Sequence, residues 1–348
     1  MTKPLRILLI GSGYIHTVNY ANLIQEDCEE IYLICDRKPD RFNHSFSVLD
    51  FSLKSISAQI LTPRKIRKII HSFKPDIIHV HQVSSFAFYA IRAARGMRIP
   101  IVLTAWGSDI LLLPQRSFLM KKMVSYCLNR ADATTADAAF MAEVIASLSR
   151  KTINDTMISV FGVELPTHSI EKEKVIYSNR LHKGLYRIDI IVLAFASFVN
   201  TEKGKDYTLW IAGEGEKTVE LKGMVTRLQL ENKVKFIGWC TKEENTNNYL
   251  RSEYFVSIPE SDGTAVSLLE AMACGSIPIL SNLPANNEWV KHGVNGYIIN
   301  QINDHLFNAL HSMDETAARD KNRIIIKDKA SVEICRDNFV NLYRSLLN

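Results

Sequence analysis

The sequence predicts an α/β protein built from two doubly wound, Rossmann-like domains. Three observations carry that reading. Short apolar runs closing on glycine or polar residues recur along the chain, segments of helical spacing separate them, and a polar stretch just after Pro166 interrupts the pattern once. Strands alternating with helices imply a parallel sheet covered on both faces. A chain of 348 residues also exceeds the needs of one small core.

The elements follow in order. Residues 5–10 (LRILLI) form an apolar run that ends at Gly11, as a buried parallel strand does. Residues 30–35, 76–81 and 100–104 repeat it, and residues 133–135 and 157–160 close the half. Phe86, Ala90, Ala93, Ala94 and Met97 share helical spacing, and residues 120–129 do likewise. Residues 168–174 are polar and charged, after which a second set of runs appears at 174–177, 207–212, 234–237, 254–258 and 277–280. Val332, Cys335, Phe339, Leu342 and Leu346 then mark a closing amphipathic helix. The expected domains are 1–166 and 174–330, with a linker at 167–173 and a helix at 331–348 that can pack back on the first domain. Ligands of open α/β sheets bind beyond the carboxyl ends of the strands. Two such sheets facing each other would set both groups of loops around a central cleft.

Composition narrows the classes. Hydrophobic content of 47% with 23% charged residues is ordinary for a globular protein. The six cysteines are scattered, without a C-x-x-C pair, which fits a reducing cytoplasm better than a disulfide or zinc framework. No signal peptide is visible, and no apolar stretch approaches the roughly 20 residues that span a bilayer. The net charge of +5 is concentrated in the first half, in Arg64-Lys65-Ile66-Arg67-Lys68 and around Arg116, Lys121 and Lys122. That pattern reads either as a solvated helix face or as attraction to anionic lipid or a phosphate-bearing acceptor. Nucleic acid is disfavoured as a partner, because no reader motif and no interleaved exposed aromatics accompany the basic residues.

The most informative stretch runs from Pro259 to Gly275 (PESDGTAVSLLEAMACG). It follows an apolar strand, turns through Asp262-Gly263 and becomes strongly helical. The N–H groups of Gly263, Thr264 and Ala265 would then open a helix and make an anion site. Asp262 stands just ahead of it, and Glu270 lies two turns on among small and apolar residues. A carboxylate there is costly without partners, and a ribose diol offers two donors. The alternative is a plain helix with Asp262 as its cap and Glu270 on its surface.

This stretch resembles the acidic-pair motif of the retaining family 4 glycosyltransferases, which have the GT-B fold. The family usually shows E-x7-E followed by A-M-A-x-G. Here the pair is Asp262 and Glu270, followed by Ala271-Met272-Ala273-Cys274-Gly275. Pro278, Glu288 and Asn295-Gly296 match the run after the motif. Trp210 to Gly215 is similar to the family's strand and G-x-G loop, and Val234 to Gly238 to the strand bordering the base. Lys74 to His81 and Ala105-Trp106-Gly107-Ser108-Asp109 match two landmarks of the first half. The resemblance extends from Leu5 to about Ile299.

The resemblance implies roles. Asp262 would contact hydroxyls of the donor sugar and Glu270 would hold the ribose. Gly13, Gly213, Gly238, Gly263, Thr264 and Ala265 would line the donor. Arg180 and Lys183, or Arg187 in place of Lys183, would meet the diphosphate, although the Arg-to-Lys gap is three where the family has five. No D-x-D occurs and no metal or other cofactor is expected, since arginine and lysine can stabilise the leaving group directly. A UDP-sugar is the favoured donor. His16 and Asp109 are rival candidates beside the reacting groups, and the histidine many family members carry at 106 is Trp106 here. On the strand at 76–81, His79 reads as a core residue and His81 as a possible wall of the acceptor pocket.

The function implied is transfer of a sugar from a nucleoside diphosphate to a hydroxyl of a saccharide or lipid-linked saccharide, with retention of configuration, in surface-polysaccharide biosynthesis. Ile110 to Pro114 and Phe118 to Met120, apolar and interleaved with Arg116, Lys121 and Lys122, suit either core packing or a peripheral contact at the inner face of the cell membrane. A sugar-nucleotide epimerase of the same fold and a non-catalytic nucleotide-sugar binder are the alternatives.

Overall fold

The computed structural model describes residues 4–40, 42–303, 306–310 and 313–347. The chain divides into two compact units, the first running to Gly162 and resumed from Val332, the second spanning Val163–Ser331.

Unit 1 contains strands β1 (Leu5–Gly11), β2 (Cys28–Cys35), β3 (Ser45–Val48), β4 (Ile77–His81), β5 (Ile101–Thr104), β6 (Ala133–Ala136) and β7 (Thr156–Ile158). Helices α1 (Ile15–Ile24), α2 (Ile56–Phe73), α3 (Ser85–Ala94), α4 (Ser108–Leu111), α5 (Leu113–Arg116), α6 (Phe118–Leu128) and α7 (Ala139–Leu148) join them. All pairings are parallel, in the order β3-β2-β1-β4-β5-β6-β7. The chain therefore starts mid-sheet, builds one half, and crosses over to build the other. Helices α2, α3, α6 and α7 pack side by side in one layer. Helix α2 buries Ala58, Thr62, Ile66, Ile70 and Phe73, a stripe at helical spacing. Pro63 inside it frees the carbonyl of Gln59, and Arg92 donates to that oxygen at 3.1 Å.

Unit 2 contains β8 (Glu173–Ser178), β9 (Thr208–Ala212), β10 (Val234–Gly238), β11 (Ser252–Ser257), β12 (Ile277–Ser281) and β13 (Tyr297–Ile299). Its longer helices are α8 (Ile188–Val199), α9 (Thr218–Arg227), α10 (Lys242–Arg251), α11 (Val266–Ala273), α12 (Pro284–Trp289) and α13 (Glu315–Lys329). The sheet is again wholly parallel, in the order β10-β9-β8-β11-β12-β13. Ile176, Leu209, Ile211, Val256 and Ile279 from the sheet meet Ile191, Phe195 and Phe198 from α8 in one apolar core.

The last helix, α14 (Val332–Leu347), belongs to unit 1, where it packs on α1. Its buried side Cys335, Phe339, Val340 and Tyr343 supplies the apolar contact. The Tyr343 hydroxyl lies 2.5 Å from both the Tyr20 hydroxyl and Nδ1 of His79. Thr104 bonds the other nitrogen of that ring at 2.6 Å and Thr135 at 2.6 Å. His79 is thus a fully satisfied core residue, held neutral because burial lowers its pKa.

Candidate functional site

In unit 2 the strand order reverses between β8 and β11. At such a switch point neighbouring loops leave in opposite directions and open a crevice at the carboxyl ends. The loop after β8 carries Asn179 and Arg180, and the loop after β11 carries Asp262.

These loops meet. Arg180 pairs with Asp262 at 2.5 Å and donates to the Ser267 hydroxyl at 3.0 Å. Its guanidinium also lies 4.5 Å from the centre of the Tyr186 ring. Gly213 makes this arrangement possible, since a Cβ there would lie 2.8 Å from the Arg180 carbonyl oxygen and its φ is +87°. The Gly213 N–H donates to the Gly238 carbonyl at 2.7 Å, joining the β9 and β10 ends. Lys183 is exposed and its side chain takes no part in the cluster. Arg187 pairs with Glu260 at 3.3 Å.

Helix α11 begins later than its sequence suggests. It starts at Val266, with Ala265 extended at ψ 125°, so Gly263 and Thr264 form the approach to the helix and not its first turn. This corrects the expectation that Gly263, Thr264 and Ala265 open the helix. Among the described residues no side chain caps the helix, which leaves first-turn N–H groups without a capping acceptor in the turn where Ser267 meets Arg180. Thr264 is buried, and the Trp289 indole donates to its hydroxyl at 3.1 Å. The helix ends at Gly275, whose φ of +74° suits the left-handed position after a helix.

Glu270 lies on α11 with most of its surface covered, and burial raises the pKa of its carboxyl, partly offset by a hydrogen bond from Tyr249. The Tyr249 hydroxyl donates to Oε2 at 3.3 Å and accepts from Asn179 Nδ2 at 2.7 Å. Asn179 also reaches Asn245 Oδ1 at 3.3 Å, to which the Tyr177 hydroxyl donates at 2.5 Å. Tyr249, Asn179, Tyr186 and Ser267 contact the candidate residues Glu270 and Arg180, and the sequence reading did not single them out. Ser267 and Asn179 had a signal, being within or next to recognised motifs, whereas Tyr249 looks like any core residue of an amphipathic helix.

In unit 1 the order reverses between β1 and β4. Gly13 approaches β2 so closely that a Cβ would lie 2.2 Å from the Arg37 carbonyl oxygen. Its N–H donates to Asp36 Oδ1 at 3.1 Å, beside the Ser12 hydroxyl at 3.0 Å. That N–H holds the loop in place. His16 is exposed in the first turn of α1, its ring edge-on to Trp106 at 5.1 Å.

Asp109 has a structural task in this unit. It is buried, with Oδ2 accepting the Val83 N–H at 2.6 Å and Oδ1 the Trp106 N–H at 3.0 Å. Burial raises its pKa, which these backbone donors offset only in part. The carboxylate ties the loops after β4 and β5 together. His81, at the end of β4, is wholly buried, neither ring nitrogen finds a hydrogen-bond partner among the described residues, and burial presses its pKa down to about 3. The Trp106 indole nitrogen is likewise buried without a partner, with the two rings 5.6 Å apart.

Residues 6–138 match the family described as Glycosyl transferase 4-like, and residues 166–323 the one described as Glycosyl transferases group 1. The N-acetyl-alpha-D-glucosaminyl L-malate synthase of Bacillus anthracis is 26% identical over 314 residues, covering 83% of this chain and 80% of that protein. The alpha-monoglucosyldiacylglycerol synthase of Streptococcus pneumoniae is 23% identical over 270 residues, covering 71% of this chain and 58% of that one. Among solved structures, Anabaena Alr3699/HepE in complex with UDP superposes with a TM-score of 0.82 at 15% identity, covering 98% of this chain and 100% of that one. That likeness speaks for the fold, which is GT-B.

Proposed function

We propose the following reaction for this chain, which belongs to the glycosyl transferases group 1 family: a sugar passes from a nucleoside diphosphate, with UDP favoured, to a hydroxyl of a saccharide or lipid-linked acceptor, with retention of configuration and without a metal. The observation that carries this reading is the Arg180–Asp262 pair at the switch point of unit 2, with Glu270 on α11, the helix that follows Asp262.

Each group has a chemical task. Ribose hydroxyls donate to Glu270, which among the described residues has one protein donor and keeps further lone pairs. The diphosphate meets Arg180 and the uncapped N–H groups of α11. As the bond from the sugar to the diphosphate breaks, negative charge grows on the departing oxygen, and these fixed donors stabilise it. The acceptor oxygen forms its bond to the same face of the sugar carbon, and its proton passes to the departing phosphate. Asp262, freed in part from Arg180 by the diphosphate, accepts from sugar hydroxyls. His16 and Asp109 stay rival candidates for contact with the reacting groups, and Asp109 also holds the loops after β4 and β5 together.

We also assign the protein to the cytoplasmic side of a membrane as a peripheral enzyme of surface-polysaccharide biosynthesis. Between Phe51 and Ala131 the acidic residues are Asp76 and Asp109 alone, against thirteen lysines and arginines. That segment contains α2, α3 and α6 of one helix layer. On α6, Phe118 and Leu119 are 69% and 71% exposed beside exposed Lys121 and Lys122, a combination suited to anionic headgroups and the acyl boundary. Among the described residues no helix is long and apolar enough to cross a membrane.

The test is nucleoside diphosphate release from a panel of sugar donors, with and without saccharide and lipid-linked acceptors. Acceptor-dependent release supports the reading. Conversion of the donor without an acceptor, or binding without turnover, contradicts it.

A further inference from the structure

Glu270 is a carboxylate in a largely apolar setting, and a ligand can use it only if its oxygens are held in one orientation. The structure provides a device for this outside the acidic motif. Tyr249 is 0% exposed, so its hydroxyl has no water to turn to. It donates to Glu270 Oε2 at 3.3 Å and accepts from Asn179 Nδ2 at 2.7 Å. Asn179 is anchored in turn by Asn245 Oδ1 at 3.3 Å, which the Tyr177 hydroxyl also holds at 2.5 Å. The chain of bonds thus runs from β8 and α10 to the carboxylate on α11.

We propose that Tyr249 and Asn179 are positioning residues that aim the Glu270 carboxylate at the ribose diol of the donor nucleotide. The proposal rests on the reading of Glu270 as the ribose ligand and deepens it. An ionised carboxylate has about four lone-pair sites. Tyr249 occupies one and fixes the carboxylate plane, which leaves sites for two hydroxyl donors. Burial and the nearby Glu270 charge raise the Tyr249 pKa, so its hydroxyl stays a donor. Asn179 keeps it one, because a hydroxyl that accepts from an amide N–H directs its own proton elsewhere. Asn179 also precedes Arg180, so the loop that aims the ribose ligand carries the diphosphate ligand.

Tyr249→Phe isolates the hydroxyl. The ring packs edge-on against Tyr177 at 5.2 Å and Phe255 at 5.7 Å, and phenylalanine preserves both contacts. Equilibrium binding would compare UDP, GDP and ADP with their 2′-deoxy counterparts, using the base that binds tightest. We expect Tyr249→Phe to weaken the ribonucleotide about tenfold while changing the deoxy form less than about threefold. Donor KM should rise by a similar factor with kcat within about twofold. Asn179→Ala, which acts on the same hydroxyl from the other side, should show the same sugar dependence and serves if Tyr249→Phe misfolds.

Equal loss on both sugars, or no loss in either variant, would overturn the proposal. Glu270→Gln separates it from the reading beneath. If that variant loses the ribose preference while Tyr249→Phe keeps it, only the positioning role fails. If Glu270→Gln keeps the preference, or no nucleotide pair binds, the ribose assignment fails as well.

Discussion

Arg180 and Asp262, 82 positions apart, close a salt bridge of 2.5 Å where the strand order of unit 2 reverses. The guanidinium is the less exposed partner, at 11% against 25% for the carboxylate. Held by Ser267 and the Tyr186 ring, it stands ready to attract an incoming anion. A diphosphate entering there must share it with Asp262, which links the two halves of donor recognition through one side chain.

Removing that link should affect chemistry more than binding. Arg180→Ala is expected to lower kcat by about a hundredfold, the usual cost of losing one donor to a developing oxyanion. Asp262→Ala should lower kcat more than it raises donor KM, whereas Glu270→Ala should do the reverse. Steady-state kinetics on the three variants decides this, and identical profiles for Asp262→Ala and Glu270→Ala would contradict the division of roles.

Glu270 should also reveal itself in stability. Burial raises its carboxyl pKa, so the folded protein holds that proton more tightly than the unfolded chain, whose ordinary value is 4.5. The stabilising share is fully present below 4.5 and is lost as pH rises through the raised value. Glu270→Gln should therefore raise the melting temperature of the ligand-free protein near neutral pH more than at about pH 4, while weakening nucleotide binding. Calorimetry at the two pH values checks the sign.

The buried histidines make the opposite forecast for unit 1. His81 is depressed from 6.5 to about 3, so the unfolded chain takes up its proton first as acid is added. Stability should fall as pH drops from 6.5 towards 3, by up to about 1.4 kcal/mol per pH unit for one such group. His81→Leu should flatten this slope. Urea midpoints measured at about pH 7 and pH 5 for both proteins give the comparison.

The exposed end of α6 is expected to govern membrane contact. Wild-type protein should co-sediment with vesicles rich in anionic lipid, less so at high salt, and little with zwitterionic ones. Reversing Lys121 and Lys122 to glutamate should weaken the anionic association at least about tenfold. Equal binding by the variant would reject this face as the contact.

How much of this was legible in the sequence depended on the range of the interaction. The interior strands of both sheets were readable because each is an apolar run bounded by breakers, as in Ile77–His81. Edge strand β3 was not, since Ser45–Val48 alternates serines with exposed apolar side chains and borrows its pairing from β2. The motif spacing located Asp262 and Glu270 but misjudged the helix start, because Ala265 adopts an extended ψ that no propensity reveals. Asp109 carried a landmark motif, yet its partner Val83 lies 26 residues away on another loop. Tyr249 and Asn179 were silent for the same reason, being 70 residues apart and joined only by folding.

The most direct measurement is a crystal structure with the nucleoside diphosphate that gives the largest thermal shift. The ribose hydroxyls should lie within hydrogen-bond distance of Glu270, with the diphosphate on Arg180 and the first-turn amides of α11. A nucleotide bound away from these groups, with Arg180 and Asp262 still paired only to each other, would contradict the account.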